Sequence, residues 1–377
     1  MQTPRTAKIP PEALPRSPEA RLDWLRLARS RRVGPATFIR LVREHGSAGA
    51  ALDVLPRLAA EAGVGGYAAA SRQAAAAETD AGEAAGARLL LLGAPDYPPL
   101  LATISDPPPV LWALGDPGLA ARPAIALVGA RNASALGCRM AARLAADLGA
   151  AGLVVVSGLA RGIDAAAHKA ALATGTIAVQ AGGIDEVYPP ENAGLAAEIA
   201  AQGLRLSEMQ PGHPPRPQDF PRRNRIVSGL ALGVVVIEGA ERSGSLITAR
   251  NALDQGREVM AVPGNPLDAR AGGCNALIRD GAVLVRSAAD VAEALAEVLG
   301  TRLAVPAPAP AAPEAAPAAA GGPLAPRLLG LLGTAAVAED MLTRDLAAPA
   351  AAVAATLVEL ELEGLVRRHP GGLVSLP

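Results

Sequence analysis

Two short strand–loop–helix patterns, one directly after the other, limit what this chain can fold into. Residues 125–128 form an apolar run of strand length, and a Gly-Ala-Arg-Asn-Ala-Ser loop at 129–134 leads into a helical pattern that ends near Leu148. Residues 153–156 repeat the arrangement, followed by a Ser-Gly-Leu-Ala-Arg-Gly-Ile-Asp loop at 157–164. Consecutive units of this kind place parallel strands side by side, with their loops at one edge of the sheet. Helix N-termini and free first-turn N–H groups at that edge predict an anion-binding site.

Further apolar runs extend the predicted sheet. Short runs rich in Val, Ile and Leu alternate with helical stretches, which predicts an α/β domain with a Rossmann-like, doubly wound, mostly parallel sheet. The additional strands are expected at residues 88–92, 110–114, 176–180, 204–207, 233–237, 258–262 and 282–285, with the first at an edge of the sheet and a last helix at 288–299. Residues 263–266 and 272–275 are expected to be turns that line the same loop edge.

Composition and pattern divide the chain into five parts. Residues 1–17 are polar and rich in proline, and residues 306–323 contain only Ala, Pro and Gly apart from Glu314, which is typical of a linker. The predicted parts are a disordered tail at 1–17, a helical domain at 18–85, the α/β domain at 86–300, an Ala/Pro linker at 301–324 and a winged-helix domain at 325–377.

The two flanking domains are predicted from their helical patterns. In the first, a Val-Gly-Pro break at 33–35 separates two helices, as in the SAM-like and helix–hairpin–helix modules that grip a DNA backbone through main-chain N–H groups. A packing or interaction role is the alternative that the sequence favours for this module. In the second, helical patterns at 328–332, 338–346 and 350–363 precede a hairpin pattern at 366–376, and three helices with a hairpin indicate a winged helix.

Charge and composition exclude several classes of protein. The chain has 35 basic and 36 acidic residues, so any site for a polyanion must be a local cluster. The two cysteines, Cys138 and Cys274, and the four histidines show no metal-ligand spacing, so neither a disulfide scaffold, nor a metal site, nor a cofactor is expected. Neither a signal-peptide core nor an apolar run of membrane-spanning length is present, which predicts a cytoplasmic protein without membrane association.

Four segments carry the candidate binding residues. They are Gly129, Arg131 and Ser134 in the first, Ser157, Gly158, Arg161 and Gly162 in the second, Phe220, Arg222, Arg223, Asn224 and Arg225 in the third, and Ser243, Ser245 and Thr248 in the fourth. Glycine lets the backbone approach a phosphate, and arginine and hydroxyl groups donate to its oxygens. A ring among arginines suits a groove for single-stranded nucleic acid, where the ring stacks on a base.

Each segment also has a structural interpretation. Ser134, Asp164 and the serines of the fourth segment can cap helices, and Phe220 can anchor its loop in the core. His168 lies within a helical pattern, where a packing role is the better interpretation. Because no catalytic set emerges, we expect a site that holds a ligand rather than one that reacts with it.

Six motifs, in this order along the chain, resemble the DNA-processing protein A family, DprA, also called Smf. They lie at residues 128–134, 157–164, 182–192, 220–230, 243–250 and 263–268. The resemblance covers the central domain from about residue 90 to residue 300, and the flanking modules fit the same family. Two small departures are Ala130 and Asn265, which stand where serine is common, and neither removes a charge.

The resemblance implies a recombination mediator that is not an enzyme. Such a protein binds and protects single-stranded DNA during natural transformation, after DNA uptake in competent cells, helps load the RecA recombinase onto it, and acts as a homodimer. The resemblance also implies that the DNA lies in a positively charged pocket at the Rossmann edge. Arg131, Ser134, Ser157, Gly158, Gly162 and residues 220–225 are the contacts carried over by motif.

Two other classes of function stay open. A nucleotide-binding hydrolase would need Glu238, but the strand before it is not followed by a Pro-Gly-Gly-x-Gly-Thr run. A regulator of double-stranded DNA would use the winged helix, whose helix at 350–363 contains three glutamates and no basic residue. Base edges in the major groove are read by basic or amide side chains. We therefore expect a protein lacking residues 301–377 to bind single-stranded DNA largely as the whole chain does.

Overall fold

The computed structural model describes residues 9–300, 303, 305, 323–333 and 336–377. Residues 1–8 of the predicted tail, and most of the predicted linker at 301–324, lie outside the described residues. The prediction of a disordered tail is wrong for residues 9–17, because Pro11–Ala13 forms a 3-10 helix and both Ile9 and Ala13 are buried. Two apolar side chains that pack onto the domain outweigh the polar, proline-rich composition of this segment.

Four helices form the N-terminal domain. They are α1 (Pro18–Arg29), α2 (Pro35–His45), α3 (Ala48–Glu61) and α4 (Arg72–Ala84). Ser17, Ser47 and Ser71 cap three of them by accepting a backbone N–H three residues later. Pro18 and Pro35 occupy the first helical position, where the missing N–H costs nothing. Local sequence signals therefore fix the helix starts, including the break between α1 and α2.

Trp24 connects this domain to the sheet. Its buried ring packs edge-on against Phe38 with the ring centroids 4.9 Å apart, and its indole N–H donates to the Pro109 carbonyl at 3.0 Å. The apolar core beneath these rings continues into the central sheet without interruption. The helical domain is thus packed directly onto the α/β domain.

Nine strands form the central sheet. They are β1 (Arg88–Leu91), β2 (Val110–Gly115), β3 (Ala124–Val128), β4 (Val154–Ser157), β5 (Thr176–Gln180), β6 (Leu204–Ser207), β7 (Gly233–Val236), β8 (Glu258–Ala261) and β9 (Val283–Leu284). Their spatial order is β1-β2-β6-β5-β4-β3-β7-β8-β9. Only β1 with β2 and β2 with β6 pair antiparallel, and all other neighbours are parallel. The predicted mostly parallel, doubly wound sheet with an edge strand at its start is confirmed.

Helices cover both faces of this sheet. They are α5 (Ala135–Ala150), α6 (Ile163–Ala171), α7 (Ala193–Gln202), α8 (Asp219–Gly229), α9 (Gly244–Asp254), α10 (Gly272–Arg279) and α11 (Ala288–Leu299). Alternate residues of β3 enter two separate cores, which is the two-residue period of a strand buried on both faces. Residues 220–225, expected at the start of a helix, form the first turns of α8. One sequence prediction is wrong here, because residues 272–275 begin α10 rather than form a turn.

The order of the strands fixes where a ligand can bind. From β3 the chain proceeds outward through β4, β5 and β6, and it then returns to β7 on the other side of β3. The loops that follow β3 and β7 therefore diverge and leave a crevice at the carboxyl ends of these strands. Open α/β sheets bind their ligands at such a switch point.

A winged helix follows the sheet domain. Its elements are α12 (Leu324–Leu331), β10 (Val337–Ala338), α13 (Glu339–Leu346), α14 (Ala350–Leu362), β11 (Arg367–His369) and β12 (Leu373–Ser375). These elements enclose a core of their own, so the predicted winged helix is confirmed, with β10 added to the predicted hairpin. Across the described parts of the chain, no helix has the length and apolar character needed to span a membrane.

The contact between α4 and β2 yields a test of the packing between the first two domains. A Cβ on Gly82 would lie 2.1 Å from the buried ring of Trp112, whose indole donates to Glu78 at 3.0 Å. We predict that Gly82→Ala lowers the free energy of unfolding by about 1–3 kcal/mol, because the overpacked ring must shift. The control is Gly194→Ala in α7, where a Cβ meets nothing within 4 Å.

Urea denaturation of both variants checks this prediction. Gly194→Ala should leave stability unchanged or raise it by up to about 1 kcal/mol, as alanine does in open helical positions. A Gly82→Ala protein as stable as the Gly194→Ala protein would mean that Trp112 does not anchor α4.

Candidate nucleic-acid interface

A cavity of about 940 Å³ lies at the switch point of the sheet. The loops after β3, β4 and β7 and the first turns of α8 and α9 surround it. We call this cavity the crevice. The candidate residues that line it are Gly129, Arg131, Gly158, Phe220, Arg223, Asn224, Ser243, Ser245 and Thr248. All four predicted segments, which are up to 120 residues apart in sequence, thus contribute to one surface.

An arginine and two aromatic rings lie together at one end of the crevice. The Arg131 guanidinium lies over the Phe220 ring, with its Cζ 4.8 Å from the ring centroid. The Tyr188 ring meets Phe220 edge-on at a centroid distance of 5.7 Å and is 48% exposed. Arg131 is itself exposed. A guanidinium at this position can hold a phosphate while the rings offer a surface to a base.

Arg223 lies beneath the crevice rather than at its surface. Its side chain is 7% exposed, and its Nη1 donates to the Val179 carbonyl at 2.6 Å. A Cβ on Gly158 would lie 1.9 Å from that nitrogen, so only glycine permits this packing. Burial lowers the pKa of Arg223 to about 10, and the Asp164 carboxylate opposes the shift. The two buried charges hold the loop at 157–164 against α8.

Backbone N–H groups in that loop already have acceptors within the protein. Gly158 and Ala160 donate to the Asp164 carboxylate at 3.1 and 3.3 Å, and burial raises the pKa of this carboxyl while Arg223 opposes the shift. These two N–H groups are therefore not free to donate to a phosphate. The crevice still offers side-chain donors, which are its arginines and the hydroxyl groups of Ser243, Ser245 and Thr248.

Ser134 and Glu238 brace the loop after β3 against the loop after β7. The Ser134 N–H and Oγ donate to the Glu238 carboxylate at 2.9 and 2.5 Å, and the same Oγ accepts from Gly137 N–H at 2.9 Å. Ser134 is only 5% exposed and caps α5, so the structure favours a helix-capping role for this residue over contact with a ligand. The carboxylate of Glu238, the residue that a hydrolase would need, already accepts two hydrogen bonds from Ser134.

Two further candidates support the loops from inside. Ser157 is fully buried, and its Oγ donates to the Leu127 carbonyl at 2.6 Å. Gly162 has a φ of +69°, and a Cβ there would lie 2.3 Å from the Ala130 carbonyl oxygen. Glycine is required at this position because the two glycine-rich loops touch.

The three remaining candidate arginines lie outside the crevice wall. Arg161 is exposed, forms an ion pair with Glu191, and borders a smaller cleft beside Tyr188. Arg222 is exposed on α8. Arg225 is turned away from the crevice, where its Nη2 pairs with Glu208 at 2.6 Å. The helical geometry of residues 220–225 explains this separation, because successive helical residues point in different directions.

Sequence reasoning missed three residues at the crevice. Arg242 and Arg270 line it, and Tyr188 extends the aromatic surface. Arg242 directly precedes the candidate Ser243, so its position in the same loop was a usable signal. Tyr188 belongs to the motif at 182–192, and only the fold brings it beside Phe220.

The described residues offer little for metal or thiol chemistry. Among them, no group of three or more His, Cys, Asp or Glu side chains could hold a metal ion. Burial, reinforced by Glu238, raises the pKa of Cys138 to about 11 and that of Cys274 to about 12. Both cysteines are free, and at neutral pH they are neutral thiols, which are poor nucleophiles and poor ligands.

The fold and the site define a Rossmann-type binding protein with an arginine- and aromatic-lined crevice at its switch point. Three family models match the chain: DNA recombination-mediator protein A at residues 88–296, the DprA-like N-terminal HHH domain at 18–81 and the DprA winged helix domain at 307–372. The chain belongs to the DprA/Smf family of DNA recombination-mediator proteins.

Individual relatives agree with this assignment. DNA processing protein DprA of Bacillus subtilis is 46% identical over 215 residues, which cover 56% of this chain and 72% of that protein. Protein Smf of Escherichia coli is 40% identical over 283 residues, which cover 74% and 75%. Among solved structures, Streptococcus pneumoniae DprA matches with a TM-score of 0.55 and 41% identity over 59% of this chain and 77% of its own. Helicobacter pylori DprA, solved to show its single-stranded DNA binding mode, matches with a TM-score of 0.51 and 29% identity over 56% and 97%.

His168 supports the crevice from below and has the packing role that the sequence favours. It is fully buried, its Nδ1 lies 2.7 Å from Thr176 Oγ1, and its Nε2 accepts from Leu159 N–H at 3.3 Å. A proton on Nδ1 satisfies both contacts, since Thr176 donates its own proton to the Val155 carbonyl. Burial lowers the pKa of His168 to about 3, and the nearby Arg223 lowers it further, so the ring is neutral in the folded protein.

This neutral histidine predicts a loss of stability in acid. The unfolded chain protonates His168 near pH 6.5 and the folded chain does not. Its stabilising contribution is therefore complete above pH 6.5 and falls by about 1.4 kcal/mol per pH unit below it, toward the folded pKa. Between pH 6.5 and pH 4.5, the wild type should lose about 2–3 kcal/mol more than His168→Gln. The measurement is urea denaturation of both proteins at several pH values. If the free energy of unfolding depends on pH in the same way for both, His168 has its ordinary pKa in the folded protein.

Proposed function

We propose that this protein binds and protects single-stranded DNA in the crevice and helps load RecA recombinase onto it during natural transformation and recombination. It acts as a homodimer in the cytoplasm, as a binding protein rather than an enzyme, and without a cofactor. Family membership supports the role of recombination mediator. The Helicobacter pylori relative supports the single-stranded ligand, because that protein was solved for its single-stranded DNA binding mode.

One observation carries the proposal, namely Arg131 lying 4.8 Å over the Phe220 ring with Tyr188 beside them. Single-stranded nucleic acid presents phosphates and unpaired bases together, and this cluster offers one partner to each. Duplex DNA hides its bases in the stack, so it could use the charge but not the rings. We therefore expect binding that tolerates any base sequence, since stacking and phosphate contacts carry no hydrogen-bond code.

The charge of the crevice supports a polyanionic ligand despite the nearly neutral chain. Four arginines line it, against the two carboxylates of Asp164 and Asp268. Asp268 pairs with Arg270 at 3.1 Å, and Asp164 lies beneath the surface close to Arg223. Over the portion of the chain that is described, Arg131 and Arg242 have no carboxylate within ion-pair distance. These two side chains are the proposed phosphate contacts.

Removing either guanidinium should weaken binding in a salt-dependent way. We predict that Arg131→Ala and Arg242→Ala lower the affinity for a labelled oligothymidylate and reduce the slope of log K against log salt by about 0.7 for each phosphate that is no longer neutralised. The matched control is Arg143→Ala on α5, whose half-exposed side chain lies 3.8 Å from Asp147 and does not line the crevice. That variant should bind with the wild-type affinity and slope.

Competition in the same assay separates the alternative functions. Unlabelled single-stranded DNA should displace the probe at much lower concentration than an equal length of duplex or a mononucleotide. A preference for duplex would favour the winged-helix regulator, and displacement by mononucleotide would favour the nucleotide-binding protein. If both crevice variants keep the wild-type affinity and salt slope, the DNA does not bind where we propose.

A further inference from the structure

The winged helix lies against the rim of the crevice. Leu329 and Leu332, at the end of α12, and Leu376, beyond β12, line the same cavity as Arg131 and Phe220. Next to Leu329, a Cβ on Gly330 would lie 3.5 Å from Oδ1 of Asn132, a residue in the loop after β3 that lines the same cavity. The C-terminal domain therefore provides part of the wall of the site where single-stranded DNA is proposed to bind.

Within the described residues, two polar contacts join the domain to the sheet domain. Arg139 on α5 pairs with Asp345 at the end of α13 at 3.0 Å, and both side chains remain about a quarter exposed. Arg270, which pairs with Asp268, also donates through Nη2 to the Leu332 carbonyl at 2.8 Å. A partly exposed ion pair contributes little net stability. A competing ligand can therefore displace the winged helix from the rim of the crevice.

The chemistry of this wall is wrong for a polyanion. The winged helix adds three leucines to a crevice that contains four arginines, and its Leu332 carbonyl accepts from Arg270, which also pairs with Asp268. Residues 323–377 carry six acidic side chains against four arginines. A strand that enters the crevice gains by displacing both the leucines and the acidic domain.

We propose that the winged helix and single-stranded DNA compete for the crevice. The winged-helix domain of the same chain then covers part of the site when DNA is absent. The inference rests on the proposed function of the crevice. The segment that occupies the crevice is the winged-helix domain of this chain. We predict that its release strengthens DNA binding, which replaces the sequence-based expectation that a protein lacking residues 301–377 binds largely as the whole chain does. If the domain instead completed a DNA-binding channel, its release would weaken binding.

A pair of variants in the whole chain tests the direction of the effect. Asp345→Asn removes the partner of Arg139, whereas Asp340→Asn removes an equal charge from an exposed position in the same helix. We expect Asp345→Asn to bind a labelled oligothymidylate roughly two- to fivefold more tightly than the wild type, the range that one exposed ion pair supports. Asp340→Asn should match the wild type. Equal affinity of the two variants, or weaker binding by Asp345→Asn, would overturn the proposal.

A reversible lock provides the second measurement. Asn132→Cys with Gly330→Cys places two thiols where the domains touch, since a Cβ on Gly330 would lie 3.5 Å from Asn132 Oδ1. The oxidised protein, verified by mass and by loss of free thiols, should bind at least about tenfold more weakly than the same protein after reduction, because the open state is removed. Equal or tighter binding when oxidised would overturn the proposal, and failure of the thiols to pair would count against a seated winged helix.

These measurements separate this inference from the proposed function. If the wild type and the reduced double-cysteine protein both fail to bind single-stranded DNA, the proposed function itself is wrong. If both bind and oxidation changes nothing, the crevice or another surface binds DNA without competition from the winged helix.

Discussion

The buried guanidinium of Arg223, packed against a residue without a side chain, shapes the whole crevice. Gly158 leaves room for it, Val179 accepts from it, and Asp164 supplies the opposite charge. A buried charge is tolerated only where it is hydrogen-bonded and compensated, so the loop after β4 and the helix α8 must keep this geometry together. Arg131 can lie over Phe220 because the loops beneath both residues are held in this way.

The crevice is formed by two groups of residues. Buried residues fix the positions of its loops, and exposed residues can contact a ligand. Buried hydroxyl, carboxylate and imidazole groups take up the loop N–H groups, as Asp164 and Glu238 show. The exposed guanidinium groups and rings are left facing the cavity. A rigid base beneath a few exposed cations can bind a flexible polyanion without sequence preference, because the ligand adapts to the charges and the base stays fixed. A chain of nearly zero net charge can therefore carry a strongly local binding site.

The sequence predicts most of the sheet and only part of the site, for a physical reason. Strands such as 176–180 and 204–207 are predicted residue for residue because each is a short segment with apolar residues that directly follows a glycine. The start of α10 is predicted wrongly because its paired glycines resemble a turn. Gly273 is glycine because the carbonyls of Gly239 and Ala240 approach within 2.8 Å of where a Cβ would lie, which is a tertiary constraint. The brace between Ser134 and Glu238 joins residues 104 positions apart, and local patterns carry no signal of such long-range pairs.

Direct mapping of the DNA contacts tests the central claim, that single-stranded DNA binds between the loops of the Rossmann edge. An oligonucleotide that carries a photoreactive thymidine analogue would be crosslinked to the whole protein, and the modified peptides identified by mass spectrometry. The account predicts adducts in the segments at 182–192 and 220–230, which bring Tyr188 and Phe220 to the crevice. Adducts confined to the N-terminal helices or to the wing of the C-terminal domain, with none in these two segments, would contradict it.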